Sequence, residues 1–253
     1  MKYLLSAQSA GVLSQLAWAR VLLAFDFDGT LAPIVSERAD ASMSARTLAR
    51  FRALCDVYPC AVISGRAKDD VSRRLGGAKV KHVVGNHGLE HGVAPRRYLA
   101  QVHRAQGRLE QALAGWPGVD LEDKRYSLAI HYRRSRKKRK VRRQIEAAVA
   151  ALPDRMRIIH GKLVINLVPS GAPDKGSALL RLRRLEKADV AVYVGDDVTD
   201  EDVFELEQPG RLVSVRVGRS STSAAAYYLK TQREIDELLK RLLQLRERRQ
   251  PSL

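Results

Sequence analysis

Short apolar runs alternate with segments of helical periodicity in the first third of the chain. Val21–Phe25 and Cys60–Ile63 are apolar throughout, as expected for strands buried on both faces of a parallel sheet. Between them, apolar residues recur at helical spacing over Ser44–Leu54. A short helix over Ala67–Leu75 and a third strand over Val80–Val84 follow. This alternation predicts an α/β fold with crossover helices.

The same alternation returns in the last third of the chain. Helical patterns occupy Gly176–Arg184 and Asp200–Leu206, and Ile235–Leu245 is an amphipathic closing helix. The apolar runs Val190–Val194 and Leu212–Val217 predict two further strands. We therefore expect both ends of the chain to contribute to one Rossmann-like parallel sheet.

The middle of the chain has a different pattern. Its predicted elements are a long helix, an alternating strand, a very basic helix and a strand pair, in that order. They lie at Leu99–Leu113, Tyr126–Tyr132, Arg136–Leu152, and around Met156–Ile159 and Leu163–Leu167. We interpret residues 94–172 as an inserted second domain of α/β type, with 1–93 and 173–253 forming the core.

Charge separates these two parts as well. The 253 residues include 45 Lys and Arg against 28 Asp and Glu, a formal charge of +17, and 45% of the residues are apolar. Such a composition excludes collagen-like, disulfide-scaffold and mostly disordered chains. Residues 94–172 contain 18 basic and 6 acidic residues, so 12 of the 17 excess charges fall there. The excess predicts an anionic partner, which composition alone does not identify.

The sequence shows no apolar run typical of a signal peptide or of a membrane-spanning helix. No signal-peptide apolar region follows Met1, and no apolar run approaches the roughly 18 residues of a membrane span. The two cysteines, Cys55 and Cys60, do not form a metal-type pair with histidine. We expect a cytoplasmic monomer with reduced thiols and no membrane partner.

Two carboxylates directly follow the first predicted strand. Asp26 and Asp28 flank Phe27, and Gly29 permits a sharp turn. An open α/β sheet places its ligands at the carboxyl ends of its strands. Two acids this close share a site when a cation such as Mg²⁺ separates their roles. The alternative is an Asp-Gly loop that caps a helix.

A second acidic cluster begins at Asp196, where five acids occur in seven positions. Clustered acids repel one another unless a metal offsets their charge. Asp196 and Asp197, nearest the preceding strand, are the predicted ligands, and Asp200 supports them. Thr199 and Asp202 fit a helix capping box, and we assign them that structural role.

Two further residues are candidates for binding phosphate. Ser64 ends the second strand before a helix, where its hydroxyl and nearby amides can hold a phosphate oxygen. Lys175 begins another helix and can neutralise phosphate as a point charge. Each has an ordinary alternative, because a serine often caps a helix and a lysine is often a surface residue.

The order strand–Asp-x-Asp, strand–Ser, Lys–helix, strand–Asp-Asp resembles the haloacid dehalogenase (HAD) superfamily of phosphotransferases. The individual residues of these motifs resemble those of the trehalose-6-phosphate phosphatase family within this superfamily. The matching segments, which span nearly the whole chain, are 26–34, 63–66, 85–90, 122–124, 131–133, 175–176 and 195–204.

The resemblance implies a role for each core residue. Asp26 is expected to be the nucleophile that forms an aspartyl phosphate, and Asp28 the general acid and base. Mg²⁺ is expected to bind the Asp26 carboxylate, the Asp28 carbonyl and Asp196. Ser64 and Lys175 are expected to hold the phosphoryl oxygens.

The resemblance also implies a sugar-binding set. Glu122 and Lys124 match the disaccharide-binding pair of the family's mobile cap, and Arg66, Asn86 and His87 are expected to line the core side. The substrate is therefore expected to be a phosphosugar, with trehalose 6-phosphate as the family's own.

One position departs from the family pattern. Where the family has a glutamate in the pattern Val-x-Glu-x-x-Pro, this chain has Asn166. Asparagine can still bond sugar hydroxyls, but it adds two donors and lacks the charge. We expect the chemistry to survive, while the preference among phosphosugars is left open.

The basic run Arg133–Arg143 has two interpretations. Nine of its eleven residues are Lys or Arg, and aromatic residues that stack on bases are missing within it. One interpretation is a solvated helix face whose field steers an anionic substrate. The other is a nucleic-acid-binding arm, since contacts of Lys and Arg with phosphate supply most non-specific affinity.

Overall fold

The computed structural model describes residues 1–90, 96–161 and 163–247. These residues form eleven β-strands and eight α-helices. The strands are β1 (Lys2–Tyr3), β2 (Val21–Phe25), β3 (Cys60–Ile63), β4 (His82–Val84), β5 (Asp120–Asp123), β6 (Leu128–His131), β7 (Met156–Gly161), β8 (Val164–Pro169), β9 (Val190–Gly195), β10 (Leu212–Val217) and β11 (Tyr227–Leu229). The helices are α1 (Ala10–Leu16), α2 (Ala45–Val57), α3 (Lys68–Arg74), α4 (Arg96–Leu113), α5 (Lys138–Ala150), α6 (Lys175–Leu185), α7 (Glu201–Phe204) and α8 (Ile235–Glu247).

The chain divides into two compact units. The first comprises Met1–Gly88 with Asp174–Leu253, and the second comprises Leu89–Pro173. The predicted boundary between residues 93 and 94 lies outside the described residues, so the assignment of 94–172 to a cap domain stays a prediction. Within the described ranges, no helix combines the length and apolar character that crossing a membrane requires.

The first unit is built on a seven-stranded sheet in the order β1-β11-β10-β9-β2-β3-β4, with every neighbouring pair parallel. β2 is buried along its whole length, which explains its continuous apolar sequence. Its alternate residues belong to two core clusters, one shared with α2 and α8 and the other with α6. Phe25 lies opposite both Val62 of β3 and Val194 of β9. The carboxyl ends of these three strands therefore meet at one edge of the sheet.

The second unit is built on an antiparallel sheet in the order β5-β6-β8-β7. α4 and α5 share a hydrophobic core with this sheet, in which Ile130 and Ile165 pack with Val102, Val141 and Ile145. One sheet face is therefore buried against the helices. The opposite face, called the polar face below, carries Glu122, His131 and Asn166 together with apolar residues such as Ala129 and Val168. This polar face matters for the site described below.

The predicted fold class, an α/β protein with a Rossmann-like parallel-sheet core, is confirmed. Four elements were not predicted: β1, α1, β5 and β11. β5 has the sequence Asp-Leu-Glu-Asp, which lacks the apolar content of a typical strand. Pairing with β6 forms it instead, since all four of its residues have partners in that strand.

Candidate active site

Three neighbouring strands of the parallel sheet end beside one another, and a predicted functional residue follows each of them. Asp26 follows β2, Ser64 follows β3, and Asp196 follows β9. Lys175 is the first residue of α6, which packs against these same strands. The fold therefore gathers the four predicted phosphate-handling segments at one edge, where open α/β sheets bind ligands.

Three carboxylates form a cluster at this edge. One oxygen each of Asp26, Asp196 and Asp200 lies within 4.8 Å of the others. Oδ1 of Asp26 and Oδ1 of Asp196 are buried and accept no hydrogen bond from the described part of the chain. Hard divalent cations such as Mg²⁺ prefer carboxylate oxygens. The donor set therefore fits the metal that the sequence predicts.

Burial and mutual repulsion change the acidity of this cluster. Burial is the largest effect on Asp26, and with the neighbouring carboxylates it raises the pKa of Asp26 well above its usual range, against the opposing ammonium of Lys175. Burial, with repulsion from Asp200 and Asp197, raises the pKa of Asp196 to about 7. Positive charge is required before both groups ionise fully at neutral pH.

Lys175 supplies part of that charge. It is 1% exposed, and its Nζ donates to Asp200 Oδ1 at 2.8 Å and lies 3.3 Å from Asp26 Oδ1. Although burial acts to lower it, the carboxylates of Asp200 and Asp26 raise the pKa of Lys175 above its ordinary value. Tyr193 Oη donates to the same Asp200 oxygen at 2.6 Å, and the amide of Asp197 donates to the other at 2.8 Å. Asp200 is thus held from both sides and in turn holds the charged lysine.

A chain of ion pairs fixes Asp28. Nε and Nη2 of Arg66 donate to the two oxygens of Asp28, at 2.7 Å each. Nη1 of Arg66 donates to Asp70 at 2.8 Å, and Arg74 Nε donates to Asp70 at 3.0 Å. Although burial acts to raise it, the bonds from Arg66 and Arg74 lower the pKa of Asp70. Arg66 is 2% exposed, while the Asp28 side chain is 36% exposed, so this bidentate pair holds the Asp28 carboxylate in a fixed orientation at the edge of solvent.

Two loops beside Asp28 are joined by backbone hydrogen bonds. The amide of Asn86 donates to the carbonyl of Arg66 at 2.7 Å, and the amide of His87 donates to that of Ser64 at 3.0 Å. Asn86 and His87 have left-handed backbone conformations, with φ of 49° and 58°. Strained backbone of this kind is concentrated at functional sites. The structure therefore brings together four predicted site residues from two separate segments of the chain: Ser64, Arg66, Asn86 and His87.

Glycine is required at two positions around the acid cluster. Gly29 has a φ of 79°, and a Cβ there would overlap the carboxylate of Asp196. A Cβ on Gly195 would likewise overlap the carboxylate of Asp200. The backbone on each side of the cluster therefore approaches these carboxylates more closely than any other residue type permits.

The predicted capping box of Thr199 and Asp202 is wrong. A 3₁₀ turn, Val198–Asp200, precedes α7, and Asp197 and Asp200 form the capping box of that turn. The helical turn begins two residues earlier than predicted, so the cap and its partner both move back by two positions. Asp197 therefore caps a helical turn, the structural role that the sequence interpretation gave to Thr199.

In the second unit, the predicted sugar-binding residues share one sheet face. The strand register places Glu122 opposite Ala129, and Ala129 opposite Asn166, in one cross-strand row. Lys124 Nζ donates to Asn166 Oδ1 at 3.1 Å, and both residues are buried. Glu122 Oε2 lies 2.8 Å from His131 Nε2. The polar face of this sheet therefore carries a compact set of hydrogen-bonding groups that fits sugar hydroxyls.

Sequence reasoning assigned no role to three residues that support these sites: Tyr193, Asp70 and His131. Tyr193 is the one hydroxyl-bearing residue in the apolar β9 sequence, three residues before Asp196 at the start of the acidic cluster. Asp70 follows Arg66 at i,i+4 spacing, where opposite charges meet on helices. His131 alternates with Ala129 onto the face of Glu122. Each residue was recognisable in the sequence, but the side chain to which it bonds was visible only in the folded chain.

The sequence is similar to a known protein family and to several of its members. Residues 24–233 match the sequence profile of a family described as Trehalose-phosphatase. The chain is 32% identical, over 93% of its length, to a trehalose-phosphate phosphatase of Mycobacterium ulcerans (strain Agy99) and covers 64% of that protein. Against the trehalose-phosphate phosphatase of Mycobacterium tuberculosis (strain ATCC 25618 / H37Rv), identity is 33% over 95% of this chain and 66% of the relative. The chain thus spans slightly less than two thirds of these relatives.

A solved structure has the same fold. The C-terminal domain of Candida albicans trehalose-6-phosphate phosphatase aligns with a TM-score of 0.77 and 23% sequence identity. The alignment covers 93% of this chain and 97% of that domain. At this level of identity the likeness concerns the fold, and the chemistry has to be argued from the residues at the sheet edge.

Proposed function

Because the chain belongs to the trehalose-phosphatase family, we propose that it hydrolyses the phosphate monoester of trehalose 6-phosphate to trehalose and inorganic phosphate. The observation that carries this proposal is the sheet edge at which Asp26, Asp196 and Asp200 cluster around the buried ammonium of Lys175. Such an arrangement combines a nucleophilic carboxylate with positive charge for phosphoryl oxygens.

Asp26 is the proposed nucleophile. One of its carboxylate oxygens attacks phosphorus, an O–P bond forms to give an aspartyl phosphate, and the bond from phosphorus to the sugar oxygen breaks. Asp28 acts in its protonated form, which requires one of its two bonds from Arg66 to open, and it gives that proton to the departing sugar oxygen. Asp28 then takes a proton from water, whose oxygen attacks phosphorus as the bond to Asp26 breaks. Inorganic phosphate leaves, and both carboxylates return to their initial state.

We propose Asp26, Asp196 and the backbone carbonyl of Asp28 as the residues that hold Mg²⁺. When bound, the ion supplies positive charge that offsets the charge on the phosphoryl oxygens. The buried Oδ1 of Asp196, which accepts no hydrogen bond from the described residues, supports this assignment. Both oxygens of Asp200 already accept hydrogen bonds, which favours a supporting role for Asp200. Asp197 supports the site by capping the adjacent turn.

Ser64 and Lys175 are proposed to bind the phosphoryl group. Ser64 follows β3 directly and its Oγ accepts from the amide of Arg66 at 3.2 Å, so its hydroxyl proton is available for a phosphate oxygen. Lys175 remains charged because its carboxylate neighbours raise its pKa. Both residues therefore contribute positive electrostatic potential beside the nucleophile.

The polar groups proposed to bind the sugar are Asn86 and His87 in the first unit and Glu122, Lys124 and Asn166 in the second. The resemblance also assigns Arg66 to the substrate, but its contacts favour a different role. Its guanidinium bonds both Asp28 and Asp70, so we propose that Arg66 orients Asp28.

A phosphate-release assay with trehalose 6-phosphate tests this function directly. We expect turnover with Mg²⁺, loss of turnover with EDTA, and loss of turnover in Asp26→Asn, which keeps the side-chain shape but removes the nucleophile. Failure of wild type to release phosphate from trehalose 6-phosphate would overturn the substrate assignment.

A related phosphosugar is the alternative substrate, because Asn166 stands where the family has glutamate. A screen of phosphorylated mono- and disaccharides with wild type and Asn166→Glu separates the two possibilities. In the variant, Lys124 gains a carboxylate partner in place of an amide oxygen. We expect the ranking of substrates to change, and an unchanged ranking would contradict a specificity role for Asn166.

We propose that the protein acts in the cytoplasm. We also propose that it acts as a monomer. Cys55 and Cys60 are free thiols that lie close together, and hydrogen bonding to Cys55 and burial raise the pKa of Cys60 well above its ordinary range. Disulfides are rare in reducing compartments, and we propose that these two thiols are reduced there. Light scattering on the purified chain tests the monomeric state.

A further inference from the structure

The basic segment Arg133–Arg143 forms an exposed surface of the second unit. Nine of its eleven residues are Lys or Arg, and all nine are exposed. The other two, Ser135 and Val141, are buried and anchor the segment to the unit. The outer surface of this segment is therefore cationic from end to end.

The positions of these charges oppose the electrostatics of helix α5. Lys137 is the N-cap residue without a side-chain capping hydrogen bond, and the first turn contains no acidic residue. A helix N-terminus carries partial positive charge, so cations there destabilise the helix. Arg139 and Arg143 add a like-charge pair at i,i+4 spacing, which is also unfavourable. Helix stability alone favours acidic residues at these positions.

Packing does not account for the charges either. The face of α5 that enters the hydrophobic core consists of Val141, Ile145 and Val149. Glu146 is the one acidic residue between positions 133 and 153, and it pairs with Arg142 at 2.8 Å. The excess charge of the isolated protein is screened by mobile counterions. Release of counterions favours association of such a surface with a polyanion.

We propose that the surface formed by Arg133–Arg143 binds the phosphate backbone of double-stranded nucleic acid without sequence preference. A duplex presents closely spaced phosphates along a rigid rod, which matches a dense row of exposed cations. Base reading is not expected, since the segment offers no asparagine, glutamine or aromatic side chain on its exposed positions. This binding is separate from hydrolysis at the sheet edge and does not depend on it.

Two other polyanions fit the same surface less well. Single strands are bound through aromatic residues that stack on bases, and residues 133–150 contain none. An acidic membrane is bound by amphipathic helices that insert large apolar side chains, but those of α5, Val141, Ile145 and Val149, are buried in the core. Duplex backbone is therefore the occupant that the observations favour.

Fluorescence anisotropy with labelled DNA and RNA duplexes of about 20 base pairs tests the proposal. We expect binding at low salt with a slope of log affinity against log salt of about −5, as for roughly six phosphate contacts. In the variant Arg134→Gln, Arg136→Gln, Arg139→Gln, Arg143→Gln, the slope should shrink by about three to four and affinity should fall at least tenfold. Because like-charge repulsion is relieved, this variant should unfold at the same or a higher temperature.

A matched control variant distinguishes the effect of this surface on duplex binding from the effect of net charge. Arg46→Gln, Arg181→Gln, Arg184→Gln, Arg233→Gln neutralises four exposed arginines of the first unit, and it lowers the formal charge from +17 to +13, as the test variant does. We expect the control to bind duplex like wild type. The proposal is overturned by absence of duplex binding at low salt, by equal losses in both variants, or by binding to phosphatidylserine vesicles in place of duplex.

Discussion

Asp196 and Asp200 belong to one acidic cluster, yet their surroundings differ. Asp200 is fully buried, and hydrogen bonds from Lys175, Tyr193 and the Asp197 amide occupy both of its oxygens. Asp196 is partly exposed, and its buried Oδ1 accepts no hydrogen bond from the described residues. These environments suit Asp196 to bind a cation and Asp200 to position the lysine.

Metal-free protein should lose stability as pH rises. The pKa of Asp196 is about 7 in the folded chain, against roughly 4 when unfolded. A carboxyl with a raised folded pKa favours folding while protonated, so its contribution is full below about pH 4 and is lost as pH rises through about 7. We expect the unfolding temperature in EDTA to fall between pH 5 and pH 7.5, measured by thermal denaturation.

Mg²⁺ should reverse that loss, because it binds the ionised cluster. We expect its stabilising shift to grow with pH over the same range. Asp196→Asn cannot ionise at this position and should lose part of the pH-dependent fall, the rest coming from Asp26, and most of the Mg²⁺ shift. A Mg²⁺ shift that is equal at both pH values in wild type would contradict this account.

Asp70 is expected to affect catalysis without touching substrate, because it holds Arg66 against Asp28. Asp70→Asn weakens that support, and we expect kcat to fall about tenfold, less than the roughly 10²–10⁴-fold expected when Asp28 itself is replaced. The pH–rate profile should also shift, since the charge environment of the general acid changes.

Asp69→Asn provides the control on the same helix. Asp69 is exposed and adjacent in sequence, so the same change of charge occurs away from Arg66. We expect its pH–rate profile to match wild type. Equal effects of the two variants would show that the loss reflects helix charge and not the orientation of Asp28.

Helix α6 connects packing to chemistry. Asp174 caps it by accepting from the amide of Ser177 at 2.7 Å, and Lys175 is its first residue. Its buried face, which includes Leu179 and Leu182, packs in the core cluster shared with β2 and β9. The position of the Lys175 ammonium therefore depends on apolar contacts farther along the helix.

Leu182→Ala tests how much the packing of α6 contributes to the free energy of unfolding. Removal of a fully buried leucine costs about 2–5 kcal/mol of the free energy of unfolding. Leu185→Ala removes the same atoms from a residue of the same helix that is 60% exposed, and it should change stability by less than about 0.5 kcal/mol. Urea denaturation of both variants measures the difference; similar costs would contradict the packing described here.

At the scale of the whole molecule, each of the two units has its own hydrophobic core. Truncation in one core should therefore act mainly on that unit. Ile145→Ala removes a fully buried side chain from the second core and should cost about 2–5 kcal/mol there. Hydrogen exchange should accelerate in β6 and β8 while β2 and β9 stay protected.

Leu182→Ala is the reciprocal case, with acceleration expected in β2 and β9. Uniform acceleration across both sheets in either variant would show that the units unfold as one. The same experiment with Mg²⁺ should increase protection in the first unit alone, because the acidic cluster lies within it.

Much of the core followed from local sequence. β2, β3 and β10 lie at the predicted residues, because strands buried on both faces must be apolar throughout. The family resemblance read from the motifs is confirmed by the profile match over residues 24–233. β5 was missed because it is formed by pairing with β6 and its own residues are mainly acidic. The cap of α7 was misplaced because a 3₁₀ turn precedes it.

The sequence by itself determined the parallel-sheet architecture, the family, and the residue types at the strand ends, since periodicity and short motifs are local properties of the chain. Only the tertiary structure decided the partners. It paired Arg66 with Asp28, Tyr193 with Asp200, and Lys124 with Asn166. Such contacts join residues on different segments, and which atoms meet depends on strand order, register and burial, none of which a local pattern specifies.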